Sequence, residues 1–132
     1  MRVLGIDYGT KRVGVAMGDS ESRVAVPLEV IEMKNEKLKI KNAVEKIVKI
    51  VKEEEIELVV IGQGGKGSME EKVQEFVEQL KKFVPVEIVD EHFTTAQVER
   101  TMKNYGKDRN KIDKDSAAAA LILQSFLERL QE

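Results

Sequence analysis

Three sets of acidic residues stand where apolar runs stop or begin: Asp7 after Val3-Leu4-Gly5-Ile6, Asp90 and Glu91 after Val86-Glu87-Ile88-Val89, and Asp113 and Asp115 ahead of an alanine-rich run. Strand ends and helix starts can bring such side chains to one place. Carboxylates gathered there repel one another unless a cation lies between them. That is the usual logic of a Mg2+ or Mn2+ site for phosphodiester cleavage, in which oxygen ligands hold the metal against a phosphoryl oxygen. The chain has no cysteine and a single histidine, His92, so a metal must be held by oxygen ligands or by that imidazole. Each acid also has a plain structural reading as a cap or turn residue, and Asp115 is a natural helix opener.

Groups that could grip phosphate lie near these acids. After Asp7, Gly9 permits a tight reversal and Thr10, Lys11 and Arg12 line it, so backbone N–H groups and a hydroxyl can face an anion. Between a strand and a helix, Gly62-Gln63-Gly64-Gly65-Lys66-Gly67 matches G-x-G-x-x-G. A dinucleotide fold needs several more parallel strands after that unit, whereas the residues after Asp90 read as helix. A P-loop is excluded, because Gly67 follows Lys66 where Ser or Thr should stand. Lys66 near a helix start can still hold a phosphate. The segment from Lys103 to Lys114, with Lys107, Arg109 and Lys111, is the densest local excess of positive charge and leads straight into Asp115. It is therefore expected beside a passing phosphate backbone.

The elements that must position these groups follow from periodicity. Val13, Val15 and Met17 alternate with Gly14, Ala16 and Gly18, which with the opening run predicts a β-hairpin with Asp7 at its mouth. Residues Val24 to Ile31 read as a third strand, kept to an edge or a bulge by Pro27. Asn35 can cap a helix whose apolar stripe is Ala43, Val44, Ile47, Val48 and Val51. Leu58-Val59-Val60-Ile61 is a strand covered on both faces. Ser68 with Glu71 forms a capping box for a helix that buries Val73, Phe76, Val77 and Leu80, and Thr94 with Gln97 forms a second box opening a short helix with Val98 and Met102. A last helix from about Asp115 to Leu130 has small residues that let it lie close to the sheet, with Leu121, Leu127 and Leu130 behind them. The order predicts an α/β fold with a mixed five-stranded sheet: a three-strand antiparallel meander plus parallel strands reached by crossovers, with flanking helices.

At 132 residues the chain is expected to be a single domain over 1–132. The absence of cysteine and of any apolar run near the roughly 18 residues of a membrane span leads to an expected cytoplasmic location. Charged residues make up 35% of the chain at a net charge of −2, so any nucleic-acid role must rest on a local basic patch.

The opening D-Y-G-T-K-R-V-G-V-A, the D-E-H-F-T-T segment and the closing D-S-A-A-A-A-L-I-L-Q-S-F-L together resemble the YqgF/RuvX family, described as pre-16S ribosomal RNA nucleases and Holliday junction resolvases of the RNase H-like superfamily. The resemblance spans the whole chain. It implies an RNase H-like fold, a divalent metal and a nucleic-acid substrate, with Asp7, Glu91 and Asp115 matching the family's acids and Arg12, Thr94 and Thr95 its accompanying polar positions. On that reading Asp7, Glu91 and Asp115 hold Mg2+ or Mn2+ and carry catalysis, while Arg12, Lys66, Thr94, Thr95, Lys107, Arg109 and Lys111 contact substrate, either a precursor rRNA or branched DNA. His92 stands where the family usually has Arg, and G-Q-G-G-K-G replaces its G-L-P loop, which alters how substrate is gripped more than it alters the acids. His92 is either a proton carrier beside Glu91 or an exposed loop residue without a role. The alternative from a different class is a non-catalytic RNA-binding assembly factor. Actin-like ATPases share the first block, but they close a cleft between two such domains and this chain is too short for that. No membrane partner is expected, and a monomer or a weak homodimer are both compatible with the sequence.

Overall fold

The computed structural model describes residues 1–9, 11–34, 38–62, 68–90, 93–103 and 113–130, the side chains of 68–70 and 95 excepted. Strand β1 (Arg2–Tyr8) is covered on both faces, so its side chains alternate between two apolar layers. Leu4, Ile6 and Tyr8 enter one layer and Val3 the other, with Gly5 and Asp7 on the same face as Val3. Strand β2 (Arg12–Asp19) pairs antiparallel with β1 and sorts its residues the same way, Val13 and Val15 to the first layer and Ala16 to the second. Strand β3 (Ala25–Glu32) closes that edge; its register passes from Glu29 opposite Val15 to Pro27 opposite Ala16. Leu28 is thus the extra residue of a bulge, and Pro27 sits on an edge strand, as its missing N–H requires.

Helix α1 (Lys39–Glu53) crosses to strand β4 (Leu58–Gly62), which pairs parallel with β1, and helix α2 (Ser68–Leu80) crosses to β5 (Val86–Val89), parallel to β4. The sheet order β3-β2-β1-β4-β5 is the expected meander plus parallel strands. Helices α1 and α2 cover the first layer, where Leu4, Ile6, Ile47, Ile61, Phe76 and Leu80 are fully buried. Helix α3 (Thr95–Met102) and helix α4 (Lys114–Arg129) follow, and α4 covers the second layer. The layers differ in kind. Each large side chain of the first contributes about 1.5–3 kcal/mol on burial, whereas the second mixes Ile122, Leu123, Phe126 and Leu127 with Ala16, Ala25, Ala119 and Ala120, whose small size brings helix and sheet close.

Three boundaries correct the sequence reading. Helix α1 begins at Lys39 with Leu38 as N-cap and no side-chain cap, so the cap is not the expected Asn35, which lies outside the described residues. Ser68 is the first residue of α2, so it lies inside the helix, and its side chain is outside the described set. Helix α4 is capped by Asp113, which accepts from the Asp115 N–H at 2.7 Å, so Asp115 lies in the first turn and Lys114 belongs to the helix, not to a loop. Leu130 is the C-cap and stands 49% exposed, past the buried stripe that ends at Leu127. The second box, at Thr94 and Gln97, forms as expected.

Glycine makes the close approach of α4 possible. A Cβ at Gly5 would stand 2.7 Å from Leu123 Cβ and 2.9 Å from the Ala119 carbonyl oxygen, atoms fixed to the helix backbone. Gly5→Ala should therefore push α4 outward. Overpacking costs about 1–3 kcal/mol and the unfolded-state gain from replacing glycine is about 0.4–1 kcal/mol, so a net loss of about 1–2 kcal/mol is expected as a lower urea midpoint. An unchanged midpoint would show that the helix is not held this tightly.

Candidate active site

Asp7 is the next-to-last residue of β1, between two strands whose opposite positions are glycines: Gly14 on β2 and Gly62 on β4. The carboxylate has no neighbouring side chains from either partner strand, so the helix above can come down to it. At Gly14 it does: an added Cβ would overlap the Asp115 carbonyl oxygen. The first turn of α4 thus lies directly over the β2 residue paired with Asp7. Positions far apart in the chain are joined here because a strand without a side chain meets a helix without bulk.

The electrostatic consequence is measurable at Asp7. Its carboxyl is pushed up to about 6, first by burial and then by the charge of Asp115. Asp115 in turn accepts from Arg12 Nε at 2.9 Å. Arg12 opens β2, and its guanidinium is held in the charged form by Asp115, with Glu32 and Asp113 adding to the effect. Glu32 is the β3 residue opposite Arg12. The arrangement is two partly buried carboxylates and a guanidinium whose short contact is to Asp115 alone.

Of the residues singled out in the sequence, Asp7, Asp115 and Arg12 are brought together. Thr94 is the N-cap of α3: its oxygen accepts from the Gln97 N–H at 3.1 Å, and its own N–H donates to Gln97 Oε1 at 2.8 Å. Thr95 is the first residue of that helix, with its side chain outside the described set. Glu91, His92, Lys66, Lys107, Arg109 and Lys111 also lie outside the described residues. Lys114, expected on a phosphate, forms an exposed pair with Glu99 on α3 at 3.4 Å. Asp90 follows β5, two strands from β1 with β4 between, so the ends of the first and last strands are not adjacent. Sequence reading named Gly14 and Asp113 without the roles they have here, and missed Glu32. The small-residue alternation Gly14-Ala16-Gly18 carried the first; the second could be found as an Asx cap two residues before Asp115; nothing local marks the third, whose place follows from register.

Two carboxylates that repel across a partly buried gap suit a divalent cation, which would relieve both causes of the Asp7 shift at once. Among the described residues no group of three His, Asp or Glu side chains converges. In the metal-free protein, Asp7 makes a signed contribution to stability. Its folded pKa, about 6, exceeds the ordinary 3.8, so its share of stability is fully present below pH 3.8 and is lost as pH rises through 6. Asp7→Asn should remove that dependence and raise stability at pH 7 by on the order of 1–3 kcal/mol. The check is chemical denaturation in EDTA at pH 4, 5, 6 and 7. Parallel curves for the two proteins across that range would contradict the buried, repelled carboxylate.

Residues 1–129 match the family model described as RuvX: Holliday junction resolvase. A protein of Endomicrobium trichonymphae named "Putative pre-16S rRNA nuclease" is 39% identical over 137 residues, covering 96% of this chain and 95% of the relative. One of the same name from Sulfurihydrogenibium sp. is 39% identical over 138 residues, covering 98% and 91%. Among solved structures, T. thermophilus RuvC in complex with Holliday junction substrate superposes with a TM-score of 0.66 at 16% identity, covering 99% of this chain and 96% of that one. The Fowlpox virus resolvase in complex with Holliday junction DNA gives 0.65 at 13% identity, each chain covered in full. At these identities the likeness is one of fold, and the fold is RNase H-like. With the family model matched from residue 1 to 129 and relatives this similar over nearly their whole length, the chain belongs to the RuvX family.

Proposed function

We propose that the protein is a metal-dependent nuclease that hydrolyses phosphodiester bonds at the Asp7 and Asp115 pair, and that its substrate is the 5′ region of precursor 16S rRNA. The observation that carries the chemistry is the Asp7 carboxyl raised to about 6 by burial and by Asp115, a pair whose repulsion a divalent cation would cancel. The choice of RNA rests on relatives 34–39% identical over nearly the whole chain that carry the pre-16S rRNA nuclease name. A branched-DNA substrate is the second reading, favoured by the family model's own description.

Asp7 and Asp115 would hold Mg2+ or Mn2+, with Glu91 as third ligand or as the group orienting the attacking water. When bound, such a cation supplies Lewis-acid stabilisation of the phosphoryl oxygens and a more acidic water. Asp7, fixed by β1 and partly buried, would hold the cation at one place at the strand end. Arg12, half exposed and tied to Asp115 through Nε, has further guanidinium N–H groups that can donate to a phosphate oxygen. Lys66, Thr94, Thr95, Lys107, Arg109 and Lys111 would add contacts along the nucleic acid. A cytoplasmic location is part of the same reading; no helix among the described residues is long and apolar enough to cross a membrane.

The test is the purified protein with Mn2+ or Mg2+ against a precursor rRNA 5′ segment and a four-way DNA junction in parallel. Cleavage of the RNA is expected, requiring the metal and falling at least 100-fold in Asp7→Asn and in Asp115→Asn while both variants stay folded. Full activity in Asp7→Asn would sink the assignment. Cleavage confined to the junction moves the substrate to DNA, and tight RNA binding without cleavage in either metal makes the protein an assembly factor.

A further inference from the structure

Beyond the carboxylate pair, the described surface carries one more feature with the chemistry to meet a polyanion. A groove of about 510 Å3 lies between the outer edge of β3 and helix α1. Lys34, Lys39, Lys46 and Lys49 line it, against Glu32 and Glu45, in a chain whose overall charge is −2. Lys39, Asn42, Lys46 and Lys49 recur at steps of three and four residues and so share one side of α1. Lys34, Lys46 and Lys49 are exposed, and the single ion pair among them, Lys49 with Glu53 at 3.8 Å, is of the solvent-screened i,i+4 kind.

One backbone donor faces the same edge. Met33 N–H donates inward to the Lys11 carbonyl, so by strand alternation the N–H of Glu32, the last residue of β3, points away from β2, toward the free edge. The groove adjoins the site through the sheet: Glu32 is opposite Arg12, and Val30 is opposite Gly14, the residue paired with Asp7. From the Asp7 strand to β3 is two interstrand spacings, about 10 Å, and the lysines of α1, which packs on the other face of the sheet, lie farther round that edge.

We propose that this groove is a track for the phosphate backbone of the nucleic acid held at Asp7 and Asp115, engaged beyond the nucleotides that flank the reacting bond. It rests on the nuclease reading for its ligand. A peptide strand added to the β3 edge is the competing occupant; Pro27 and the bulge at Leu28 interrupt that edge, and the register leads the groove back to the carboxylates, which favours nucleic acid.

The test compares a Lys39, Lys46, Lys49→Ala triple variant with a control triple, Lys41, Lys52, Lys81→Ala, that removes equal charge elsewhere. Binding to single-stranded RNA of 2 to 12 nucleotides is measured by anisotropy in Ca2+ across a salt series, together with cleavage kinetics in Mg2+ or Mn2+. Three lost contacts at about 0.7 each should flatten the salt slope by about 2 for long oligonucleotides, leave dinucleotide binding unaffected, and raise KM with kcat retained. An equal effect of the control triple, or an unchanged slope in the groove variant, overturns the track. So does lysine-dependent binding of an acidic peptide strand with RNA binding intact. The two readings fail separately: cleavage by the parent protein with no groove effect leaves the nuclease standing without the track. Groove-dependent binding by a parent protein that never cleaves leaves the track standing without the nuclease.

Discussion

The contact on which the site depends is the one between Gly14 and the backbone of Asp115. The Asp115 carbonyl occupies the volume that a side chain at position 14 would fill, and Asp7 is the residue paired with Gly14 across the ladder. Any residue larger than glycine there would lift the start of α4 from the sheet and separate the two carboxylates. The same closeness is repeated along the helix at Gly5 and matched by alanines on the helix side. Because a peptide group is rigid and its neighbours are packed, this approach fixes the acid's backbone instead of merely allowing it to come near.

Proximity has an energetic consequence that burial of apolar surface must offset. Bringing Asp115 beside a partly buried Asp7 raises the free energy of the doubly ionised state, which is the physical meaning of the elevated Asp7 value. Arg12 relieves only one member of the pair, since its short contact is to Asp115. The stabilisation comes from the opposite layer, where Phe76 packs its ring against Tyr8 at 5.0 Å and the large aliphatic residues of α1 and α2 are fully buried. Residues that hold the fold and residues that hold the charges thus lie on opposite faces of the same strand, Leu4, Ile6 and Tyr8 on one and Gly5 and Asp7 on the other. A β-strand is suited to this because its period of two separates the tasks residue by residue.

The edge of the sheet extends the charged surface beyond the pair. Arg12, Glu32 and the lysines of α1 form a sequence of alternating charge leading from β2 across β3. A nearly neutral protein can in this way present positive potential where a backbone passes without becoming basic overall.

Much of this is legible in the order of residues alone, because periodicity and punctuation are local. Alternation gave the strands and their two faces, Pro27 gave the edge and bulge, and Thr94 with Gln97 gave a cap that forms as expected. The acids at element ends, and the motif blocks around them, led to Asp7, Asp115 and Arg12. What the sequence could not contain was register and approach. That Gly14 lies beside Asp7 follows from hairpin pairing, and that Asp115 settles on Gly14 follows from how far α4 can descend. Asp113 rather than Asp115 became the cap because a cap must precede the first turn, and this left the Asp115 carboxylate to meet Arg12 and to oppose Asp7. Residue types set which chemistry was available, whereas the distance between charges 108 positions apart was decided only when a helix and a strand had packed.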